Sequence, residues 1–474
     1  MIEPDKVADG PRRLWILLAA IAAFGLALRI WAGIGALWLD EAWSATFAHE
    51  VRTPLGVFFA INHDNNHHLN TLWLQFVGWG APPLLARALS IVCSTLTVIV
   101  AGLVGARRGM ATAAVTAGLF AVSPILLTYG AEARGYAPML LALLVAILLV
   151  DRRLSDESGW SPTRMLGILA ILGTLSHLAM LFGIAALTGW VALVEVQRRP
   201  FLSATIATLR LMGGMIVAAA AVVGLIAYAA SISPAGFQVG SYLPFSLASF
   251  GDGLDRMFAY AIGFPYELQP LLIISVLAFV PCAIWLIPSL RPRAPLYLLG
   301  IIGLPLTILV FRVGNSGIAR YYIVTAVFLL LLLGEVLGAA LSGAMLRRRV
   351  AILALGCMAI GMAAIDSMII ANRRADPGEA IRAMMALAPD GATVIIGHAR
   401  DSAVLEAGAA TGRYPLRATT NVCASARFLY LEDGPSAWFP ARPAHCGKFY
   451  RPVARRIARG LSGLHWQLYE REGS

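Results

Sequence analysis

In LWLDEAWSATFAHE, residues 37–50, two adjacent acids, Asp40 and Glu41, stand among Trp38, Leu39, Trp43 and Phe47. A carboxylate in such a place either caps a helix, a position that Asp favours, or takes a proton in a reaction. A second stretch, YGAEARGYAP, sets Glu132 and Arg134 between Gly130 and Gly135, and a third, NSGIARYY, brings Arg320 ahead of Tyr321 and Tyr322. Between the first two lies HDNNHHLN, residues 63–70, where Asp64, His67 and His68 could contact a substrate or, with Glu132, a divalent ion. Each charge also has a plainer use. Glu132 and Arg134 could pair with one another, Arg320 could snorkel to the membrane surface, and the tyrosines could belong to an aromatic belt.

The elements that would position these residues follow from composition. The chain has 474 residues, of which 59% are hydrophobic and 13% charged, against about 25% charged in soluble domains. Its mean hydropathy is +0.75. This is the composition of a polytopic α-helical membrane protein. No cleavable leader is expected, because Met1 to Arg13 is polar and the apolar run that follows is long enough to span. Windows of about 19 residues predict eleven spans, near 14–36, 84–105, 110–129, 136–150, 165–179, 180–194, 211–230, 269–288, 296–311, 321–341 and 350–371. Three of them, 136–150, 165–179 and 180–194, fall short of the roughly 20 residues of a perpendicular span, and 165–194 could be one helix or two.

Charge orients the bundle. With the N-terminus inside, inner segments carry 16 Lys and Arg and the short outer segments five: Arg52, Arg134, Arg256, Arg312 and Arg320. Inner loops retain basic residues, so Asp40, Glu132, Arg134 and Arg320 all fall at the outer surface. The net charge of +11 comes largely from those inner flanks, which suit anionic headgroups and call for no nucleic acid. Arg29 and Arg87 sit within or near spans, where ionisable groups face protein interior or a site.

Three parts are expected: a cytoplasmic N-terminus at 1–13, a membrane module at 14–371 with long outer loops at 37–83 and 231–268, and an outer α/β domain at 372–474. In the first loop, Leu39, Trp43 and Phe47 recur at helical spacing, predicting a helix on the membrane surface with its aromatic side among headgroups. Beyond 372, ATVIIGH, RFLYLED and HWQLYERE read as strands and SAVLEAGAA as a helix. Cys93, Cys282 and Cys357 fall within spans, whereas Cys423 and Cys446 share the outer domain and are read as a disulfide, with two free thiols as the alternative.

The ordered set of Leu39-Asp40-Glu41, Glu132-Ala133-Arg134-Gly135-Tyr136 and Arg320-Tyr321, with Arg87 opening the second span, resembles the GT-C glycosyltransferases. Within them it is similar to the protein mannosyltransferase and lipid A aminoarabinose transferase branch (glycosyltransferase family 39-like), over about residues 14–340. The resemblance implies transfer of a sugar from a polyprenyl-phosphate donor to a glycan, lipid or protein acceptor at the outer face of a bacterial cytoplasmic (inner) membrane, by a monomer. Asp40 is then the general base, with Glu41 and Glu132 as further catalytic candidates. Arg134, Arg320, Tyr321 and Arg87 are the candidates for the donor phosphate, and His67, His68 and Asp64 for acceptor or metal contact. No nucleotide is required and no cofactor is certain, and a divalent metal is possible, as some GT-C enzymes use one. Many relatives carry a His-Pro-Pro stretch where this chain has HDNNHHLN, so contacts there do not carry over directly.

Two other readings compete. A transporter or flippase of lipid-linked glycans would place ionisable groups near the midplane, in matching halves. An inactive scaffold would keep the fold without the reaction.

Overall fold

A computed structural model describes residues 5–155, 161–240, 242–264, 270–420, 426–433 and 438–473. A helix occupies each of the places read as spans, and among the described residues seven are long and apolar enough to cross a membrane, or eight if one bent pair counts as a single span. The 165–194 block is two helices, Thr163–Ser176 and Met180–Arg198, parted at His177.

The bent pair shows how sequence sets the path of the chain. Met110–Val122 and Pro124–Gly130 meet at 58°. Proline has no N–H to donate, so Pro124 leaves the Phe120 carbonyl without its helical partner. The buried Arg29 side chain fills that role, donating to Phe120 O at 3.0 Å, to Ala121 O at 3.0 Å and to Ser94 Oγ at 2.6 Å. An arginine inside the first span thus repairs the backbone of the third.

At the end of the bundle carrying the inner basic segments, Arg293 donates to Asp151 at 2.6 and 2.7 Å and pairs with Glu335, while Arg107 also pairs with Asp151. Through Arg293, Glu335 ties its own helix to the one that carries Asp151.

The C-terminal part is a six-stranded sheet in the order β2-β1-β3-β6-β5-β4, with β1 Ala392–Ile396, β2 Leu416–Thr419, β3 Phe428–Asp433, β4 Ala444–His445, β5 Lys448–Arg456 and β6 His465–Arg471. β1 runs parallel to β2 and β3, and the other pairs are antiparallel. Helices Gly378–Leu387 and Asp401–Gly412 bury Ile381, Met384 and Leu405 against Val394, Phe428 and Trp466. β5 was not foreseen. Its Pro452 and four basic residues hide the pattern, and the register slips between Pro452 and Ala454. Of the expected disulfide, Cys446 is disulfide-bonded and Cys423 lies outside the described residues; Cys93, Cys282 and Cys357 are free.

The sheet domain is pegged into the bundle. Arg374, fully within the protein, donates to Ala32 O at 2.7 Å, Ala131 O at 3.0 Å and Thr128 O at 3.2 Å. Asp376 accepts from the Ala36 amide at 2.9 Å, and Trp466 Nε1 donates to Ala375 O at 2.6 Å.

Candidate active site

The helix foreseen from LDEAWSATFAHEV is present at Leu39–Val51. Its surroundings differ from those expected. Leu39, Ala42 and Ala48 pack with Ala403, Val404 and Ala407 of the sheet domain. Trp43 and Phe47 lie against His63, with ring centroids 5.1 and 5.2 Å apart, so the aromatic side also packs on the first loop. A tertiary partner offers a better-packed, drier surface than the membrane boundary, and period alone cannot tell which of the two a face will meet.

Glu41 organises the loops beneath. Its carboxylate accepts from Arg87 Nε at 2.8 Å and Nη2 at 2.5 Å, from the Ala133 amide at 2.7 Å and from the Trp38 amide at 3.2 Å. Arg87 spends its remaining donors on the carbonyls of Gly33, Gly35 and Ala36 at 2.7–2.9 Å. The two side chains are 0% and 1% exposed. Burial works to raise the Glu41 carboxyl, but the charge and hydrogen bonds of Arg87, with Arg374 and the Ala133 amide, prevail and hold it below the usual range. Glu132 goes the other way: burial and the nearby Glu41 push it up, although Arg374 stands 3.4 Å away.

The same knot shapes the Glu132–Tyr136 turn. Asn70 Nδ2 donates to Ala133 O at 2.6 Å and Ser90 Oγ to Arg134 O at 2.9 Å. At Gly135 the chain passes so close to Ser176 that an added Cβ would lie 1.7 Å from its carbonyl oxygen and 3.0 Å from His67 Cβ. We expect Gly135→Ala to shift Arg134 and lower turnover about tenfold, a small displacement of a reacting group being enough for that. Comparison of kcat with the thermal midpoint checks this: a loss of stability at unchanged kcat would contradict it.

The turn delivers Arg134 into a cavity of about 270 Å³. There Arg134 Nη1 meets Asp40 Oδ2 at 2.7 Å, and Arg320 Nη1 reaches the same oxygen at 3.2 Å. Asn65 fixes both sides, accepting from Arg134 Nη2 at 2.9 Å and donating to the Asp40 backbone carbonyl at 2.8 Å. Among the described residues no hydrogen bond engages Asp40 Oδ1. Tyr136 and Tyr321 lie under the two guanidiniums, at 5.1 and 6.0 Å from ring centroid to Cζ.

Of the residues singled out in the sequence, Asp40, Asp64, His67, His68, Arg134, Arg320 and Tyr321 line this cavity, whereas Glu41, Glu132 and Arg87 do not. Asp64 accepts from the Gly240 amide at 3.1 Å and lies 2.9 Å from His63 Nδ1. His67 stacks on His177 at 4.9 Å, and Tyr136 is 4.4 Å from His177. Burial, then the nearby Arg134, depresses His67 well below its ordinary value and His177 to about 3, and burial takes His68 to about 4. All three imidazoles are neutral at pH 7. Among the described residues no three His, Cys, Asp or Glu side chains converge so as to hold a metal ion. Glu132 is walled off behind the turn, which breaks up the set with His67, His68 and Asp64.

Asn65, Asn70, Thr174 and Arg374 were not found by sequence reasoning. Asn65 and Asn70 lay inside the HDNNHHLN stretch already noted for its departure from relatives. Arg374 had a signal: Arg373 and Arg374 form a basic pair on the side expected to be outer, against the usual distribution.

No protein-family model and no curated protein matches the sequence. Solved structures do match. ArnT of Cupriavidus metallidurans, the lipid A aminoarabinose transferase, is similar over 96% of this chain and 97% of its own in its apo state, at a TM-score of 0.58 and 13% identity. Bound to undecaprenyl phosphate, it matches over the same shares at a TM-score of 0.55 and 14% identity. The Archaeoglobus fulgidus oligosaccharyltransferase, in a complex with Zn and sulfate, is similar over 88% of this chain and 68% of its own, at a TM-score of 0.50 and 12% identity. The resemblance read from LDE, EARGY and ARYY therefore holds at the level of architecture. This chain has the GT-C fold, a multi-pass membrane bundle carrying a small C-terminal sheet domain.

Proposed function

We propose that the protein transfers a sugar from a polyprenyl-phosphate donor to an acceptor at the outer face of the cytoplasmic membrane, by a single displacement that inverts the anomeric centre. One observation carries the reading: on the wall of one cavity, a carboxylate from the first outer loop meets guanidiniums from two distant stretches, Arg134 and Arg320. An acceptor hydroxyl is a poor nucleophile until a base takes its proton, and Asp40 Oδ1 is free to do so. The departing group is a lipid phosphate, whose growing charge Arg134 and Arg320 are suited to hold.

The pairing also gives an order of events. While the site is empty, both guanidiniums are engaged by Asp40. A donor phosphate competes for them, and as they turn to it the Asp40 carboxylate is released toward the acceptor. Donor binding thus prepares the base. Glu41 and Arg87 act through position, by fixing the helix that carries Asp40 and the turn that carries Arg134, and Glu132 belongs to the anchor of Arg374. Tyr321 supports Arg320, while Asp64 and His68 contribute to the wall. The likeness to a structure bound to undecaprenyl phosphate supports a polyprenyl carrier.

The test is incubation of purified protein with undecaprenyl-phosphate sugars and an envelope extract. Release of undecaprenyl phosphate is followed together with new glycosidic bonds by mass spectrometry. Donor accumulation in sealed vesicles without bond formation would instead establish transport.

A further inference from the structure

We infer that the sugar handled by this site is a single uncharged ring, and that His67 and Thr174 hold its hydroxyls. The inference rests on the donor reading above and narrows it to a class of sugar.

The first argument is charge. The carboxylates lining the cavity are Asp40 and Asp64. In the empty site both guanidiniums hold Asp40 through Oδ2, and once a donor phosphate has drawn them away Asp40 is needed for the acceptor's proton; Asp64 lies 2.9 Å from His63 Nδ1 and accepts from the Gly240 amide. With Asp40 reserved for that proton, Asp64 is the remaining carboxylate among the described lining residues, and it is already engaged by His63 and the Gly240 amide. An amino sugar would put its cation near Arg134 and Arg320 with nothing to balance it. A uronate meets the opposite problem, since its carboxylate would draw on the same guanidiniums that the phosphate needs.

The second argument is unmet hydrogen bonding. Arg134 Nε, His67 Nε2 and Thr174 Oγ1 are buried without hydrogen-bond partners, and all three residues line the cavity. Buried polar atoms in folded proteins are normally satisfied, so these three await a ligand. Arg134 Nε suits the phosphate. An imidazole nitrogen and a hydroxyl together suit sugar hydroxyls, which both donate and accept. His67 does this as a neutral ring held by its stack on His177. The third argument is size. At about 270 Å³, the cavity falls just below the roughly 300–1,000 Å³ of small-molecule pockets, room for one ring.

The experiment uses the full chain in detergent. Thermal stabilisation is titrated with four probes: bare undecaprenyl phosphate, and the same carrier bearing a neutral hexose, 4-amino-4-deoxyarabinose or a uronic acid. We expect the neutral donor to bind about tenfold tighter than either charged one. His67→Ala and Thr174→Val should each weaken the neutral donor about tenfold, the scale of one lost hydrogen bond left unmatched, and leave the bare carrier unchanged. His67→Gln, whose amide can replace the hydrogen bond, should recover most of the loss. If the amino sugar or the uronate binds as tightly as the neutral donor, or if both variants keep full affinity, the inference is overturned while the transfer reading stands. If no probe binds, the bare carrier included, the donor reading itself falls.

Discussion

Asp40→Asn is expected to lower turnover by roughly 10²- to 10⁴-fold, the range over which a positioned general base contributes, without weakening donor binding. The amide has the shape of the carboxylate and can still accept from a guanidinium, but it cannot take a proton at neutral pH. It also withdraws the negative charge that occupies Arg134 and Arg320 at 2.7 and 3.2 Å in the empty site. Those guanidiniums should then bind undecaprenyl phosphate as tightly as before, or tighter. The combination of a collapsed kcat and an undiminished donor affinity separates a base from a residue that merely holds the site together. Steady-state kinetics with a titration of the carrier measures both. Full turnover in the variant would remove Asp40 from this role, and with it the proposed sequence of donor binding followed by base activation.

Arg87→Ala should have the largest effect on stability, about 3–5 kcal/mol, as expected when one partner of a buried ion pair is removed and its charge left uncompensated. Glu41 would remain 0% exposed, facing only amides. The carbonyls of Gly33, Gly35 and Ala36, which now accept from Arg87 at 2.7–2.9 Å, would lose their partner as well. Because the same carboxylate grips the Ala133 amide at 2.7 Å, part of the damage should reach Arg134 and show as lost activity in the surviving folded protein. The double variant Glu41→Gln with Arg87→Met should recover much of the stability, since no charge is then buried and the glutamine carbonyl still accepts from Ala133. Thermal unfolding in detergent checks this. Equal destabilisation of the single and double variants would show that the carbonyl contacts, and not the buried charge, dominate.

These two residues illustrate how far sequence reaches. Asp40 and Glu41 are neighbours of the same chemical type, and both were candidates for catalysis. They occupy different environments because, on a helix, adjacent positions point about 100° apart. Asp40 faces the cavity and Glu41 faces the knot around Arg87. Nothing in the LDE stretch says which face will be which until the EARGY turn and the second span are packed against it. The assignment of Arg87 to the donor phosphate fails to meet the cavity for the same reason: the guanidinium that matches a phosphate also matches a carboxylate, and a nearer carboxylate was available. His67, by contrast, was picked out by its setting in HDNNHHLN, and its unmatched Nε2 is visible only once Arg134, Arg320 and His177 surround it.

By itself the sequence determined the membrane bundle, the side of it on which the charges gather, and the α/β character of the C-terminal part, because hydropathy, the basic bias of inner loops and the strand and helix periods are local properties written into neighbouring residues. It also marked stretches whose residues come to line one cavity. Only the tertiary structure decided which members of those stretches share a cavity and which are spent on holding it open. It likewise decided that the helix after Asp40 packs beneath the sheet domain and that Arg374 plugs that domain into the bundle. Those outcomes depend on pairings across tens to hundreds of residues, between side chains with several equally good partners, and the choice is made by which partners the packed bundle brings within reach away from water.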